Sequence, residues 1–315
     1  MKHTPTMVSL VGDYLAIRRQ MGFDLGIAGE QLMAFGHFAD QIGHRGHVTF
    51  DLAVQWAQSS LHNKPLTRAR RLEVLRPFAK YRSQFEPDTA IVPSSYFGPT
   101  HRRLVPHIYT EQEIVALLKA TDNLLPVGGL RPLTYRTLFG LLAAAGLRIS
   151  EALHLKPKDV DLDRELLTVR QTKFRKSRLV PLHSTTIAAL THYAEVRHRK
   201  LGRQNPEAFF VSAQGKPLPD RTVHSTFQKL RAQMDWVARG GYTAPRIHDL
   251  RHSFICHGLL RSHQEHQPID NVIDAISTYV GHAKVSDTYW YVTATPELMA
   301  IAAQRFSQFA EGGTQ

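Results

Sequence analysis

At 315 residues the chain is too long for one ordinary domain and long enough for two, each with its own core. A hydrophobic content of 43% excludes wholesale disorder, no apolar run approaches the ~18 residues of a membrane helix, and the single Cys256 excludes an internal disulfide or a thiolate-rich zinc site. Lys and Arg number 39 against 27 Asp and Glu, a formal +12 that favours a polyanionic partner such as nucleic acid.

Asp13 and Arg18 interrupt the first apolar residues, so no signal-peptide core is present and the expected location is cytoplasmic. Residues 1–92 read as a helical bundle. A first helix puts Leu10, Tyr14, Ile17 and Met21 on one stripe, and a second does the same with Leu32, Phe35, Phe38 and Ile42. "FDLAVQWAQS" is a short third helix. The fourth, "LTRARRLEVLRPFAKYRSQF", turns Leu72, Leu75, Phe78 and Tyr81 inward and carries Arg68, Arg71, Arg76, Lys80 and Arg82 on its other side. A face of like charges repels itself, which makes sense opposite a polyanion.

Residues 93–106 hold Pro93, Pro99 and Pro106 and cannot continue a helix, so they read as a linker, with Arg102 and Arg103 placed to touch a phosphate backbone. The second domain, 107–315, opens at Thr110, an N-cap with Glu113 in the capping-box position. An apolar helix stopped by Gly146 follows, then "LRISEALHLKPKDVDL" and two strand-like runs, "RELLTVR" and "RLVPLH". The basic turn "QTKFRKS", with Lys173, Arg175 and Lys176, joins those runs into a hairpin. Helices are expected over 220–236, 248–261 and 269–280, a surface loop over Ser262–Gln267, and a tail helix over 295–309 with Leu298, Ile301, Ala302 and Phe309 on one stripe. The fold class is therefore mainly α with a small β-hairpin or sheet in the second domain.

Four separated boxes carry the chemistry: "AAGLRISEAL" with Arg148, "QTKFRKSRLVPL" with Lys173, "RIHDLRHSF" with His248 and Arg251, and "VGHAKVSDTYWYV" with His282 and Tyr291. Singly, each has a plain structural explanation, as a surface ion pair, a solvated turn lysine or a helix-end cation. Together, in this order, they resemble the tyrosine recombinase (phage integrase) family, and the resemblance runs over essentially the whole chain. It implies an N-terminal core-binding (SAM-like) helical domain and a C-terminal integrase-type catalytic domain. It also implies double-stranded DNA as partner, four protomers on paired sites, a Holliday junction and a 3′-phosphotyrosyl intermediate, with no metal, cofactor or ATP.

In that family the nucleophile lies nine residues beyond the histidine of the Gly-His box, which is Tyr291 here. On a helix, positions two apart point ~200° away from each other, so Tyr289 is assigned to packing, as is Trp290. The resemblance gives Arg148 and Arg251 the phosphate, His248 the role of base and Lys173 that of acid toward the leaving 5′ oxygen, with Lys176 as alternative. His282 would hydrogen-bond the phosphate or orient the site. Guanidinium forks suit this work because they are always charged and bidentate toward phosphate.

A rival site is a zinc pair at His248 and His252, four apart on a helix. The glutamate of the His-Glu-x-x-His pattern is absent, and Arg251 would repel a cation. Two further readings remain: a non-cleaving DNA-binding accessory protein of the same fold, and a type IB topoisomerase or telomere resolvase.

Overall fold

The computed structural model describes residues 5–61, 64–100, 103–170, 177–202 and 204–292, with 299, 300, 303 and 307. It divides into two compact units, Met1–Arg103 and Leu104–Gln315.

The first unit is built from α1 (Met7–Gln20), α2 (Gly26–Gln41), α3 (Phe50–Gln58) and α4 (Pro65–Arg82). Its core gathers Val11, Leu32, Phe35, Trp56, Leu72, Leu75 and Phe78. Helix α1 buries Met7, Val11, Tyr14 and Leu15, while Ile17 and Met21 are 40% and 65% exposed, so the stripe expected from sequence is rotated. The rotation follows from contact with α2. A Cβ on Gly36 would meet Val8 Cα at 3.0 Å, and the Asp40 carboxylate accepts from the N–H groups of Met7 (2.9 Å) and Val8 (3.1 Å). Those bonds satisfy helix-start donors from a neighbouring element and fix which side of α1 faces inward. Ile42 lies beyond the end of α2 and is exposed. On α4, Leu72, Leu75 and Phe78 are buried as expected and Tyr81 packs at the edge of the core.

The second unit begins with α5 (Glu111–Thr121), whose capping box is in place: Glu113 N–H donates to Thr110 Oγ1, and Thr110 N–H to the Glu113 carboxylate. Next come α6 (Leu130–Ala145), the short α7 (Ile149–Leu153), and an antiparallel sheet of β1 (Val160–Asp161), β2 (Leu166–Val169) and β3 (Arg178–Pro181). The expected hairpin pairs Leu167 with Val180 and Val169 with Arg178, and both Leu167 and Val180 are buried. Its connecting turn lies outside the described residues.

Helix α8 (Ser184–Leu201) is an element the sequence reading passes over. It packs on α6 through a narrow stripe in which Leu190, Tyr193 and Leu201 are the buried residues. Helix α9 (Asp220–Arg231) stops five residues short of the expected end at Trp236, which instead packs against Tyr109. Helix α10 (His248–Gln264) continues into the stretch expected as a surface loop, so only its last residues form the turn before α11 (Ile269–Val280). A seven-residue helix, α12 (Ser286–Val292), follows. The tail expected over 295–309 lies outside the described residues except at isolated positions. Among the described residues no helix is long and apolar enough to cross a membrane.

Candidate functional site

Four elements of the second unit meet at the C-terminal end of α11. That helix closes on Gly281, at φ 70°, with the His282 N–H donating to Ser277 O (2.9 Å). The left-handed residue costs glycine little and leaves the last carbonyls of α11 open to outside donors. Three arginines take them, Arg178 through Tyr279 O. Arg251 Nη2 donates to Val280 O (2.7 Å) and Arg148 Nη2 to Gly281 O (3.3 Å). Arg251 also donates through Nη1 to Gly146 O (2.7 Å), the residue that ends α6 at φ 58°.

Arg251 is 2% exposed, its charge met by carbonyl dipoles rather than a direct carboxylate contact. Burial and then the nearby Arg148 push its pKa down to about 9. Arg148, at the N-cap of α7, is held by Glu151 one turn on: its backbone N–H and Nη1 donate to the carboxylate at 3.0 and 2.8 Å. The same carboxylate receives Arg178 of β3 in a two-pronged pair at 3.1 and 2.9 Å. Burial alone would raise the Glu151 pKa, but the hydrogen bonds from Arg178 and Arg148 and their charges bring it down to about 2. Arg178 Nε reaches Tyr279 O (2.8 Å), tying the sheet to the end of α11. At this helix end the Glu151 carboxylate directly contacts two of the three guanidinium groups, Arg148 and Arg178.

The histidines and the tyrosine complete the cluster. Tyr291 on α12 is 3% exposed, and its hydroxyl lies 2.6 Å from Nδ1 of His252 on α10. Burial raises its pKa above the ordinary phenol value against the pull of Arg251 and Arg148. His282 stacks parallel to the Tyr291 ring, 6.1 Å between centroids and 7° between planes, and its Nδ1 is 2.7 Å from the buried Thr288 Oγ1. Burial, then Arg251 and Arg148, lower the His282 pKa to about 4. His248 sits edge-on to His252, 4.7 Å between centroids. Its surface opens to solvent, yet the protein packed around it, then Arg251 and Arg246, hold it below the usual imidazole range. Burial and the surrounding cations thus hold His248 and His282 toward the neutral form, and the arginines carry the positive charge.

Tyr289 does not pack as expected from sequence. It is 48% exposed on the opposite side of α12, with its hydroxyl donating to Asp270 Oδ1 (3.1 Å). Trp290 does pack, against Tyr291 and His252. Arg148, His248, Arg251, His282 and Tyr291 are thus brought together, while Lys173, Arg175, Lys176 and Arg102 lie outside the described residues. Among the described residues no group of three or more His, Cys, Asp or Glu is placed to hold a metal.

On the first unit, Arg76 and Lys80 of α4 are exposed. Arg71 lies over the Trp56 ring, 4.2 Å from its centroid, and Arg68 over Phe97 at 5.7 Å, so both guanidinium planes already rest on aromatic faces. Arg103 is exposed at the end of this unit. Glu151, Arg178, Thr288 and His252 as a partner of Tyr291 are contributions the sequence reading missed. Glu151 was visible as the i+3 acid after Arg148; the others are tertiary pairings with no local signal.

The sequence profile of the phage integrase family matches residues 107–297. The chain is 38% identical over 314 residues to y4rB of Sinorhizobium fredii (strain NBRC 101917 / NGR234), grouped by name with integrases and recombinases, covering 98% of this chain and 99% of that one. It is 30% identical over 238 residues to the tyrosine recombinase XerC of Chlamydia caviae, covering 74% and 69%. Among solved structures, the Tn1549 transposon integrase in complex with transposon right end DNA superposes with a TM-score of 0.66 at 16% identity, covering 96% and 100%. The XerH site-specific recombinase bound to its difH substrate superposes at 0.63 with 17% identity, covering 88% and 78%.

Proposed function

The chain belongs to the phage integrase family, and from that premise we propose that it is a site-specific DNA recombinase that cuts and rejoins strands through Tyr291. The observation that carries this reading is the cluster at the end of α11, where three guanidinium groups, two of them bonded to Glu151, lie beside a buried phenol. Guanidinium groups outnumber the carboxylate they directly contact there, and a phosphodiester supplies a further anion. Arg148 and Arg251 take the non-bridging oxygens and oppose the charge that grows on them in the transition state.

In the cleavage step the Tyr291 oxygen bonds to phosphorus as the bond to the 5′ oxygen breaks. The phenol proton leaves to a base, His248 in this reading, and the 5′ oxygen takes a proton from an acid, assigned to Lys173. His282 donates to the phosphate from Nε2, with Thr288 bonded to its other nitrogen. The 3′-phosphotyrosyl ester conserves the energy of the phosphodiester, so a 5′ hydroxyl reverses the step without ATP. Each cut consumes one tyrosine until resealing, and exchanging two duplexes takes four cuts. Four protomers on paired sites and a Holliday junction between two successive rounds of exchange are what membership of the family implies in this reading. Basic residues Arg68, Arg71, Arg76, Lys80, Arg102, Arg103, Arg175 and Lys176 supply phosphate contacts that are independent of sequence.

The test is covalent capture on a nicked duplex whose released fragment diffuses away, selected from a random-sequence pool, in the presence of chelator. Wild type and Tyr289→Phe form a protein–DNA adduct stable to denaturant. Tyr291→Phe binds the duplex with unchanged affinity and forms none. Adduct in Tyr291→Phe but not Tyr289→Phe would reverse the assignment. Relaxation of supercoiled plasmid lacking the selected site would indicate a topoisomerase.

A further inference from the structure

The 2.6 Å contact between Tyr291 and His252 has no part in the scheme above. His252 lies four residues beyond His248, so the two imidazoles share one face of α10, and it directly follows the buried Arg251 in the chain. Its ring is tilted 43° against the Tyr291 ring at 5.3 Å, edge-on to His248 and packed against Trp290. We propose that His252 is the positioning residue of the nucleophile: its Nδ1 accepts the Tyr291 hydroxyl and fixes the phenol oxygen for attack on the phosphodiester. This rests on Tyr291 being the nucleophile, as argued above.

Three observations support it. First, α12 has only seven residues, and a helix that short holds little shape of its own, so the Tyr291 oxygen is placed by tertiary contacts. His252 supplies the polar one, and a 17-residue helix anchored in the core carries it. Second, both partners are neutral. Burial and the neighbouring His248, Arg246, Arg251 and His282 drive the His252 pKa down to about 2, while burial raises that of Tyr291. Two tautomers are open to a neutral imidazole; in the one proposed the hydrogen is on Nε2, so that Nδ1 accepts and the phenol donates. A donated hydroxyl keeps its oxygen lone pairs free for phosphorus. Third, the same cationic surroundings make imidazolium unfavourable at His252, which suits a holder of the phenol better than a terminal acceptor of its proton.

The experiment measures single-turnover adduct formation on the nicked duplex captured by wild type, together with duplex affinity and thermal melting. His252→Leu fills the space without an acceptor. His252→Asn places Oδ1 where Nδ1 stands but takes up no proton, and His252→Gln carries its amide one bond too far, at the Nε2 position. Expected are a loss of about 10²-fold in adduct rate for Leu and Gln, the scale of a nucleophile misplaced by ~1 Å, with affinity and melting unchanged, and recovery of most of the rate by Asn. Should Leu fail to fold, the contrast of Asn with Gln decides alone. A wild-type rate in Leu or Gln overturns the proposal. So does an Asn variant as slow as Gln, which would make His252 the proton acceptor, or a loss of affinity that tracks the loss of rate, which would make it packing. Absence of adduct with wild type, or its persistence in Tyr291→Phe, defeats the functional reading instead, and the present proposal falls with it.

Discussion

Glu151 holds two arginines at once, and its side chain is 6% exposed. Replacing it by Gln leaves Arg148 and Arg178 facing each other across a neutral amide. Breaking a buried pair in this way costs about 3 kcal/mol, so Glu151→Gln is expected to lower the urea midpoint of the second unit by a corresponding amount at pH 7. The pH dependence has a definite sign. The Glu151 pKa is about 2 when folded against 4.5 for the free side chain, so its contribution is complete above pH 4.5 and is lost as pH falls toward 2. The gap between wild type and variant should narrow over that interval; a gap that stayed constant would place the effect outside ionisation.

At this scale the sequence was partly legible. Arg148, His248, Arg251, His282 and Tyr291, named from four short boxes, lie together in the fold, and the tasks toward a phosphate given them above are part of the proposal. Arg178 and Thr288 could not be named that way. Arg178 reads as one more cation beside a basic turn, and only the fold shows it fastening β3 to Glu151 and Tyr279. Thr288 reads as a polar residue in a short helix, and its link to His282 spans a turn that spacing does not specify.

Among the elements, helix ends do more positioning than helix bodies. Gly146 and Gly281 both close helices in the left-handed region, and both present carbonyls to the arginines. A Cβ on Gly146 would stand 2.5 Å from the Phe254 ring. Backbone strain and displacement of that ring together predict a loss of about 2 kcal/mol for Gly146→Ala, read as a lower melting temperature, with adduct formation falling because the carbonyl that holds Arg251 is shifted. These terminators were legible, since glycine after an apolar run is a strong stop signal. The register of α1 was not. That helix has apolar residues on several sides, so two stripes fit its period, and contact with Gly36 and Asp40 of α2 selects between them. Helix α8 escaped because only three of its 18 residues are buried, and threonines and histidines between them mask the period.

For the whole molecule, the excess of 12 positive charges predicts strong dependence on salt. Duplex affinity should fall linearly on a log–log plot against salt concentration. Arg76→Gln and Lys80→Gln, both exposed on α4, should each reduce the slope by about 1 across unrelated sequences. A change confined to one DNA sequence would instead make either residue a reader of bases. The proline-rich stretch between the two apolar patterns is less of a free tether than its composition suggests: at its end, Val105 O accepts from Gly241 N–H in the second unit.

The burial of Arg251 against carbonyls carries an evolutionary consequence. A cation kept in the interior against carbonyls, as Arg251 is held by those of Gly146 and Val280, leaves the protein less robust than a well-packed apolar side chain at that position would. Laboratory selection for heat tolerance alone would therefore drift toward replacing it, and enrichment libraries for this chain need a DNA-dependent readout in every round.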